Sequence, residues 1–352
     1  MRTRVRFPKF LVHLDPWSLT WYTTEQTRLH IHLRVRSGIS CVAEISDFPY
    51  TTNARPNGTP KMVSSLRSCV WTGATNRISS KRRTLSFMGM MNDGREIPSL
   101  GYGTWLVSDE GAESLVADAI AAGYRHVDTA SMYGNETGVG KGIRASGIDR
   151  TQVFVTTKLW NSDQSDPEAA LTSSLDRLGL DYVDLYLIHW PVPRQHLYVR
   201  AWETLIKLRE RGLAASIGVS NFSPEHLDAL QPSGVVPAVN QSEVHPSFAN
   251  RQIAETNAER GIVTECYSPL GRAGDLAEPV LTRIAARLGA TPAQVVLAWH
   301  LAKGFVAIPK SASPARIREN FQAQNLDLTV DDIAAIDSLD RGNRIGSDPT
   351  SM

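Results

Sequence analysis

Cysteine is scarce in this chain. Cys41, Cys69 and Cys266 are the only three among 352 residues, no two form a CxxC pair, and their wide spacing suggests no crosslinked framework. A disulfide-stapled module is thereby excluded, and a reduced compartment is the expectation. Long apolar runs are also missing. No stretch reaches the roughly 18 apolar residues that a membrane-spanning helix needs. The first residues are rich in arginine and poor in acid, but their apolar stretches are too short and too interrupted for a secretory signal. We therefore expect a cytoplasmic protein with no membrane partner.

A strong charge of either sign is absent overall, since the formal net charge is +1, and no nucleic-acid partner is expected. That balance conceals an asymmetry. Residues 1–84 hold 14 Lys and Arg against 4 Asp and Glu, a net of +10, whereas the remainder holds 23 against 32, a net of −9. Residues 1–84 also lack regular alternation or sustained helical periodicity, and we expect them to be a mostly disordered extension. It could serve as a targeting or anion-binding arm, or be upstream sequence preceding a true start at Met88, Met90 or Met91.

Several chemistry-bearing motifs are missing too. No GxGxxG follows a strand-like run, so a Rossmann cofactor domain is not expected. GNETGVGKG, residues 134–142, has the look of a P-loop, but Gly142 stands where the motif needs Ser or Thr, which argues against nucleotide hydrolysis. There is no HExxH and no paired Cys–His spacing, and the His30-Ile-His32 pair is isolated, so no metal is expected. His245 and His300 read as core or rim residues rather than catalysts.

What is present is a regular alternation of short strand-like and helix-like segments from about residue 100 onward. The strand candidates are 100–103, 124–128, 153–157, 185–189, 215–219, 238–241, 263–267 and 305–309. Eight such strands with eight crossovers in about 250 residues predict an α/β fold, a (β/α)₈ TIM barrel over 85–352, with its active site at the C-terminal strand ends. Helix punctuation agrees: Ser108 reads as an N-cap with Gly123 past the helix end, and Thr291-Pro292 and Ser313-Pro314 each read as an N-cap before a first-turn proline. Ahead of the barrel, Asn92-Asp93-Gly94 lies between two apolar runs and predicts a β-hairpin that caps the barrel bottom.

Four residue types suited to hydride transfer fall at or just past three successive strand ends: Asp128 and Tyr133 in GYRHVDTASMYGNE, Lys158 in VFVTTKLW, and His189 in VDLYLIHWP. Carbonyl reduction needs an acid for the developing alkoxide, and a tyrosine with a pKa of about 10 needs a nearby cation to serve. Lys158 is that cation, Asp128 its anchor, and His189 a group to orient the carbonyl. Taken singly, each has a structural explanation at least as good; together, with Trp105, Trp160 and Trp190 around them, they predict a polar anchor in an aromatic substrate pocket. Later strands end in Ser220, Asn221 and Gln241, which offer hydrogen bonds to a carboxamide, and in Tyr267, which offers a flat face to a ring. Lys310, Ser311 and Arg316 surround the start of the Ser313-Pro314 helix and suit a phosphate, with a ribose 2′-phosphate favouring NADPH.

These linked strings, with IGVSNF, VNQ and IPKSxxxxRIxEN, resemble the aldo-keto reductases over about residues 86–342, closest in look to bacterial enzymes of the 2,5-diketo-D-gluconate reductase type. The resemblance implies a metal-free, NADPH-dependent oxidoreductase that converts aldehydes or ketones to alcohols, acting as a monomer on a small-molecule carbonyl substrate. It implies Tyr133 as proton donor, Asp128 and Lys158 tuning it, and His189 orienting substrate. It implies Gly103, Thr104, Ser220, Asn221, Gln241, Tyr267, Ser268 and Leu270 along the cofactor, and Lys310, Ser311, Arg316, Glu319 and Asn320 at its adenosine 2′-phosphate end. Tyr267 stands where the diketogluconate-type enzymes often carry Trp. Two other readings stay open: a non-catalytic NADPH-binding regulatory subunit on the same barrel, and a lyase using Lys158 as a Schiff base.

Overall fold

The computed structural model describes residues 88–351 throughout and, before them, only the backbone of five short strands. The chain divides into two units, Met1–Lys81 and Arg82–Met352. In the first, Arg4–Phe7 pairs antiparallel with Phe10–His13, and Thr20–Thr24, Arg28–Arg34 and Ser40–Ser46 form a three-stranded antiparallel sheet. The rest of 1–84, and with it most of the expected disorder, lies outside the described residues.

The second unit is an eight-stranded parallel barrel. Its strands are β1 (Tyr102–Gly103), β2 (His126–Asp128), β3 (Phe154–Leu159), β4 (Val183–Ile188), β5 (Ala214–Ser220), β6 (Val239–Glu243), β7 (Val263–Tyr267) and β8 (Val306–Ala307), each paired with its sequence neighbour. The sheet closes where Leu100 bridges Ala307 and Gly103 bridges Lys310, with the Gly103 amide donating to the Pro309 carbonyl at 3.1 Å. All eight strand candidates are therefore in place. They form because β-branched and aliphatic residues such as Val153, Val155, Leu185 and Leu187 are buried, as both faces of a barrel strand require.

The hairpin pairs Met88–Met90 with Glu96–Pro98, and its turn carries Gly94 at φ +84°. It caps the N-terminal barrel mouth as expected. Met91 and Ile97 pack with Leu185, Leu187, Val239 and Val306, the Ser216 hydroxyl donates to Asp93 at 2.6 Å, and the Asn92 amide donates to the Pro237 carbonyl at 2.8 Å. The bottom is thus sealed, which leaves the opposite, C-terminal mouth for function.

Helices cover the outside. In α1 (Asp109–Ala122), Ser108 accepts from the Gly111 amide and Gly123 closes the helix at φ +115°, as its sequence predicts. The helix Glu136–Ala145, α2, lies close to α1 and to the helix Pro167–Leu178, α3, and here the P-loop-like string finds its explanation. A Cβ on Gly138 would stand 2.0 Å from the Asp109 carbonyl oxygen, and one on Gly140 1.9 Å from that of Leu178. The glycines of GNETGVGKG allow backbone approach between helices.

Candidate active site

Except for Gln241, the expected polar residues from the strands lie at or just past their C-terminal ends. Asp128 ends β2, Lys158 is next to last in β3, His189 follows β4, Ser220 ends β5 with Asn221 after it, Gln241 lies within β6, and Tyr267 ends β7. Tyr133 arrives differently, on a single turn, Ser131–Tyr133, that follows β2 and is closed by Gly134 at φ +67°. That turn is pinned twice. The Ser131 hydroxyl donates to the Lys158 carbonyl at 3.0 Å, and buried Asn135 donates to the Thr104 and Val107 carbonyls while accepting from the Thr129 hydroxyl.

The Lys158 ammonium is fully buried. It donates to Asp128 Oδ1 at 2.7 Å and to the Thr129 carbonyl at 2.9 Å, and it lies 3.4 Å from the Tyr133 hydroxyl. Burial alone would lower its pKa, but the Asp128 carboxylate and its hydrogen bond more than offset this and raise it. Lys158 is therefore a fixed cation and a poor nucleophile, which argues against the Schiff-base reading. Burial raises the Tyr133 pKa, and the Lys158 charge pulls it back down, so the phenol is protonated at neutral pH and its deprotonated form has a cation beside it. Burial, reinforced by Lys158, lowers the His189 pKa well below its ordinary value. His189 is a neutral imidazole whose ring nitrogens have no hydrogen-bond partner among the described residues, and its ring meets those of Tyr133 and Trp160 edge-on at 5.8 and 5.1 Å.

On the opposite wall the polar groups are interlocked. Tyr267 donates its hydroxyl to Asn221 Oδ1 at 2.9 Å, and Asn221 donates its amide to the His189 carbonyl and to Ser220 Oγ. Asn221 holds φ +64°, a left-handed conformation that Asn tolerates better than most residues. Gln241 donates from Nε2 to Asp128 Oδ2 and to Glu265 Oε2, both at 2.8 Å.

These groups surround a pocket of about 310 Å³ that opens to solvent. Of the expected residues, Gly103, Trp105, Asp128, Tyr133, Trp160, His189, Trp190, Ser220, Asn221, Gln241, Tyr267, Ser268 and Lys310 line it. Thr104 and Lys158 lie behind its wall: Thr104 is buried, with its hydroxyl donating to the Asp128 carbonyl. Leu270 packs among aliphatic residues. Ser311, Arg316, Glu319 and Asn320 lie off the pocket, Ser311 and Arg316 around the start of the helix Pro314–Phe321, which Ser313 caps, and Glu319 and Asn320 in its last turn. Lys310 and Arg316 are exposed and form no ion pair among the described residues, whereas Glu319 accepts from the Thr291 hydroxyl at 2.8 Å.

Sequence reasoning missed several participants. His126 and Glu265 are buried below Asp128, and their only signal is a polar residue inside an apolar strand. Met132, Arg272 and the tail residues Gly346 and Ser347 also line the pocket, with the Arg272 guanidinium 5.2 Å from the centre of the Trp105 ring. The tail is tied down by Glu243, whose carboxylate accepts from the Ile345 and Gly346 amides at 2.7 Å each and lies 3.1 Å from His245. His245 also meets Asp275 at 2.9 Å, so it braces this strap, while His300 lies 3.1 Å from the Pro269 carbonyl.

The sequence pattern described as the Aldo/keto reductase family matches residues 99–341. An aldo-keto reductase of Mycobacterium sp. (strain KMS) is 51% identical over 265 residues, which is 74% of this chain and 96% of that protein. The methylglyoxal reductase DkgA of Yersinia pestis is 48% identical over 260 residues, 73% of this chain and 94% of that one. Among solved structures, a Gox0644 variant in complex with NADPH superposes with a TM-score of 0.73 at 41% identity, covering 75% of this chain and 98% of that one.

Proposed function

The chain belongs to the aldo/keto reductase family. From that premise, which makes it an oxidoreductase of carbonyl compounds with a nicotinamide cofactor, we propose that it reduces aldehydes and ketones to alcohols with NADPH and that Tyr133 donates the proton. The observation that carries this reading is the buried Lys158–Asp128 pair, 2.7 Å apart, reaching within 3.4 Å of the Tyr133 hydroxyl at the wall of an aromatic pocket.

The residues fit a nicotinamide. In an otherwise hydrogen-bonded site, the Gln241 amide oxygen and the His189 ring nitrogens have no partner among the described residues, and Tyr267 presents a ring to the same space. The bound cofactor supplies the hydride. His189, kept neutral by its burial, orients the substrate oxygen by a hydrogen bond and adds no competing charge. Tyr133 gives its phenolic proton to that oxygen as the carbonyl carbon is reduced, and the resulting phenolate is stabilised by the Lys158 ammonium until the pocket's water returns a proton. Trp105, Trp160 and Trp190 furnish apolar walls that exclude bulk water and raise the strength of these interactions.

Exposed Lys310 and Arg316, beside the N-terminus of a helix, support recognition of a 2′-phosphate and hence NADPH over NADH. The relative named a methylglyoxal reductase makes small α-oxoaldehydes the first substrates to try. A reduced cytoplasm suits the single described cysteine, buried Cys266. The test is NADPH consumption against a panel of methylglyoxal, diketo sugars, aromatic aldehydes and simple ketones. Turnover of at least one is expected, and binding of NADPH without oxidation by any would favour the regulatory-subunit reading instead.

A further inference from the structure

Beneath the Asp128–Lys158 pair lies a polar layer that the proposed mechanism leaves unused. Strand alternation places His126 with Asp128, and Thr156 with Lys158, on one face. Gln241 of β6 and Glu265 of β7 stand side by side in register. Glu265 is fully buried, and among the described residues no lysine or arginine lies within ion-pair distance of it. Around it are Asp128 and His126 on β2, Lys158 on β3 and Gln241 on β6; its register partner on β8 is apolar Val306.

The Gln241 amide nitrogen has two protons, and both are taken, one by Asp128 Oδ2 and one by Glu265 Oε2. Flipping the amide would set its oxygen against the Asp128 carboxylate, so nitrogen-down is the only favourable orientation. The amide oxygen is left for the pocket that Gln241 lines. The charge in the layer points the same way. Lys158 already has Asp128 as counter-ion at 2.7 Å, so a second ionised carboxylate would leave a buried net negative charge. A protonated Glu265 leaves the layer neutral; His126 Nε2, hydrogen-bonded to Thr156 Oγ1 at 3.0 Å, stands 3.5 Å from Glu265 Oε1.

We propose that Glu265 is a positioning residue of the reductase site: as a buried, protonated carboxyl it fixes the orientation of Gln241 from below and keeps a second negative charge away from Lys158 and Tyr133. Burial, with the Asp128 charge beside it, pushes this carboxyl up to about 8, which agrees with the geometry. The inference rests on the carbonyl-reductase reading above. An ionised Glu265 would raise the Tyr133 pKa and so extend its protonated form to higher pH.

The test compares Glu265→Gln, which keeps an acceptor for Gln241 and cannot ionise, with Glu265→Leu, which does neither. By fluorescence titration the Leu variant is expected to bind NADPH about tenfold more weakly, as befits a buried donor left unpaired, with the Gln variant within about twofold of the parent. In the cofactor-free protein, carbon-13 NMR is expected to show a glutamate carboxyl titrating near 8 that disappears in Glu265→Gln. The alkaline fall of kcat for reduction is expected to move to lower pH in that variant. A merely structural residue would lower thermal stability without moving the alkaline limb of kcat. If the Leu variant does not fold, the NMR titration and pH profile of the Gln variant decide alone. Wild-type turnover with unchanged variants would overturn the positioning role and leave the reductase reading intact, whereas a parent that oxidises no NADPH would overturn that reading while the binding and NMR arms still report on Glu265.

Discussion

Replacing Tyr133 by Phe removes one oxygen and tests the proton-donor role with little structural cost. The hydroxyl's only described partner is the Lys158 ammonium, at a long 3.4 Å, and that ammonium keeps Asp128 at 2.7 Å and the Thr129 carbonyl at 2.9 Å. No buried charge is orphaned, so the stability change should stay within about 1 kcal/mol, or about 2–4 °C in Tm for a domain of this size. Turnover should respond on another scale. Loss of a positioned general acid lowers rates by about 10²–10⁴-fold, roughly 3–5 kcal/mol of transition-state stabilisation. Stopped-flow NADPH oxidation with a good carbonyl substrate, alongside calorimetry and fluorescence titration of NADPH, separates the three quantities. The expected result is a kcat collapse with nearly unchanged Tm and cofactor affinity. A variant that retains kcat within about threefold, with Tm unaltered, would refute Tyr133 as donor.

Arg316→Ala should weaken NADPH binding by about tenfold and leave NADH binding nearly unchanged; equal losses for both cofactors, read by titration, would remove the 2′-phosphate assignment. Gly140→Ala should be disproportionately harmful for a one-methyl change, because Gly140 is buried and its Cβ would meet the Leu178 carbonyl oxygen at 1.9 Å. Overpacking of about 3 kcal/mol predicts a fall of roughly 6–12 °C in Tm, against little change for Lys141→Ala one residue away. Two buried histidines should each cost the barrel stability as pH falls below neutrality. Burial lowers His126 to about 4 and His300 to about 3 from an ordinary 6.5, so their contribution is complete above 6.5 and is lost as pH falls from there toward those values. Each contributes about 2 kcal/mol of loss between pH 7 and 5. His245 and Glu265 have the opposite sign: the raised pKa of each adds stability as pH falls, Glu265 by about 2 kcal/mol between pH 7 and 5, and they offset much of that loss. Urea unfolding of the parent and of His300→Asn at the two pH values should show the parent losing about 2 kcal/mol relative to the variant, and equal pH dependences would refute the neutral buried state of His300.

The features legible in the sequence were those with local signals. Eight apolar runs of strand length, the Asp93-Gly94 turn and the Ser108, Thr291 and Ser313 caps each express themselves within a few residues, and each appears in the fold. Once the runs are strands of one barrel, their C-terminal ends converge, which is why Asp128, Lys158, His189, Ser220 and Gln241 could be grouped before any distance was known. Glu265 and His126 escaped because a buried polar residue in an apolar run carries no mark of its partner; the Gln241–Asp128 bond joins positions 113 residues apart. The strap escaped because Glu243 holds it by backbone amides, which every residue but proline possesses.

Sequence alone determined the barrel, the end of it that works and the chemical types gathered there, because periodicity, turn residues and caps act over short stretches of chain. Tertiary structure alone decided what those types do to one another: that burial makes Lys158 a fixed cation, that two carboxyl groups orient Gln241, and that a glycine-rich string serves helix packing. Charge, desolvation and steric contact depend on separation in space, and the closed barrel sets those separations.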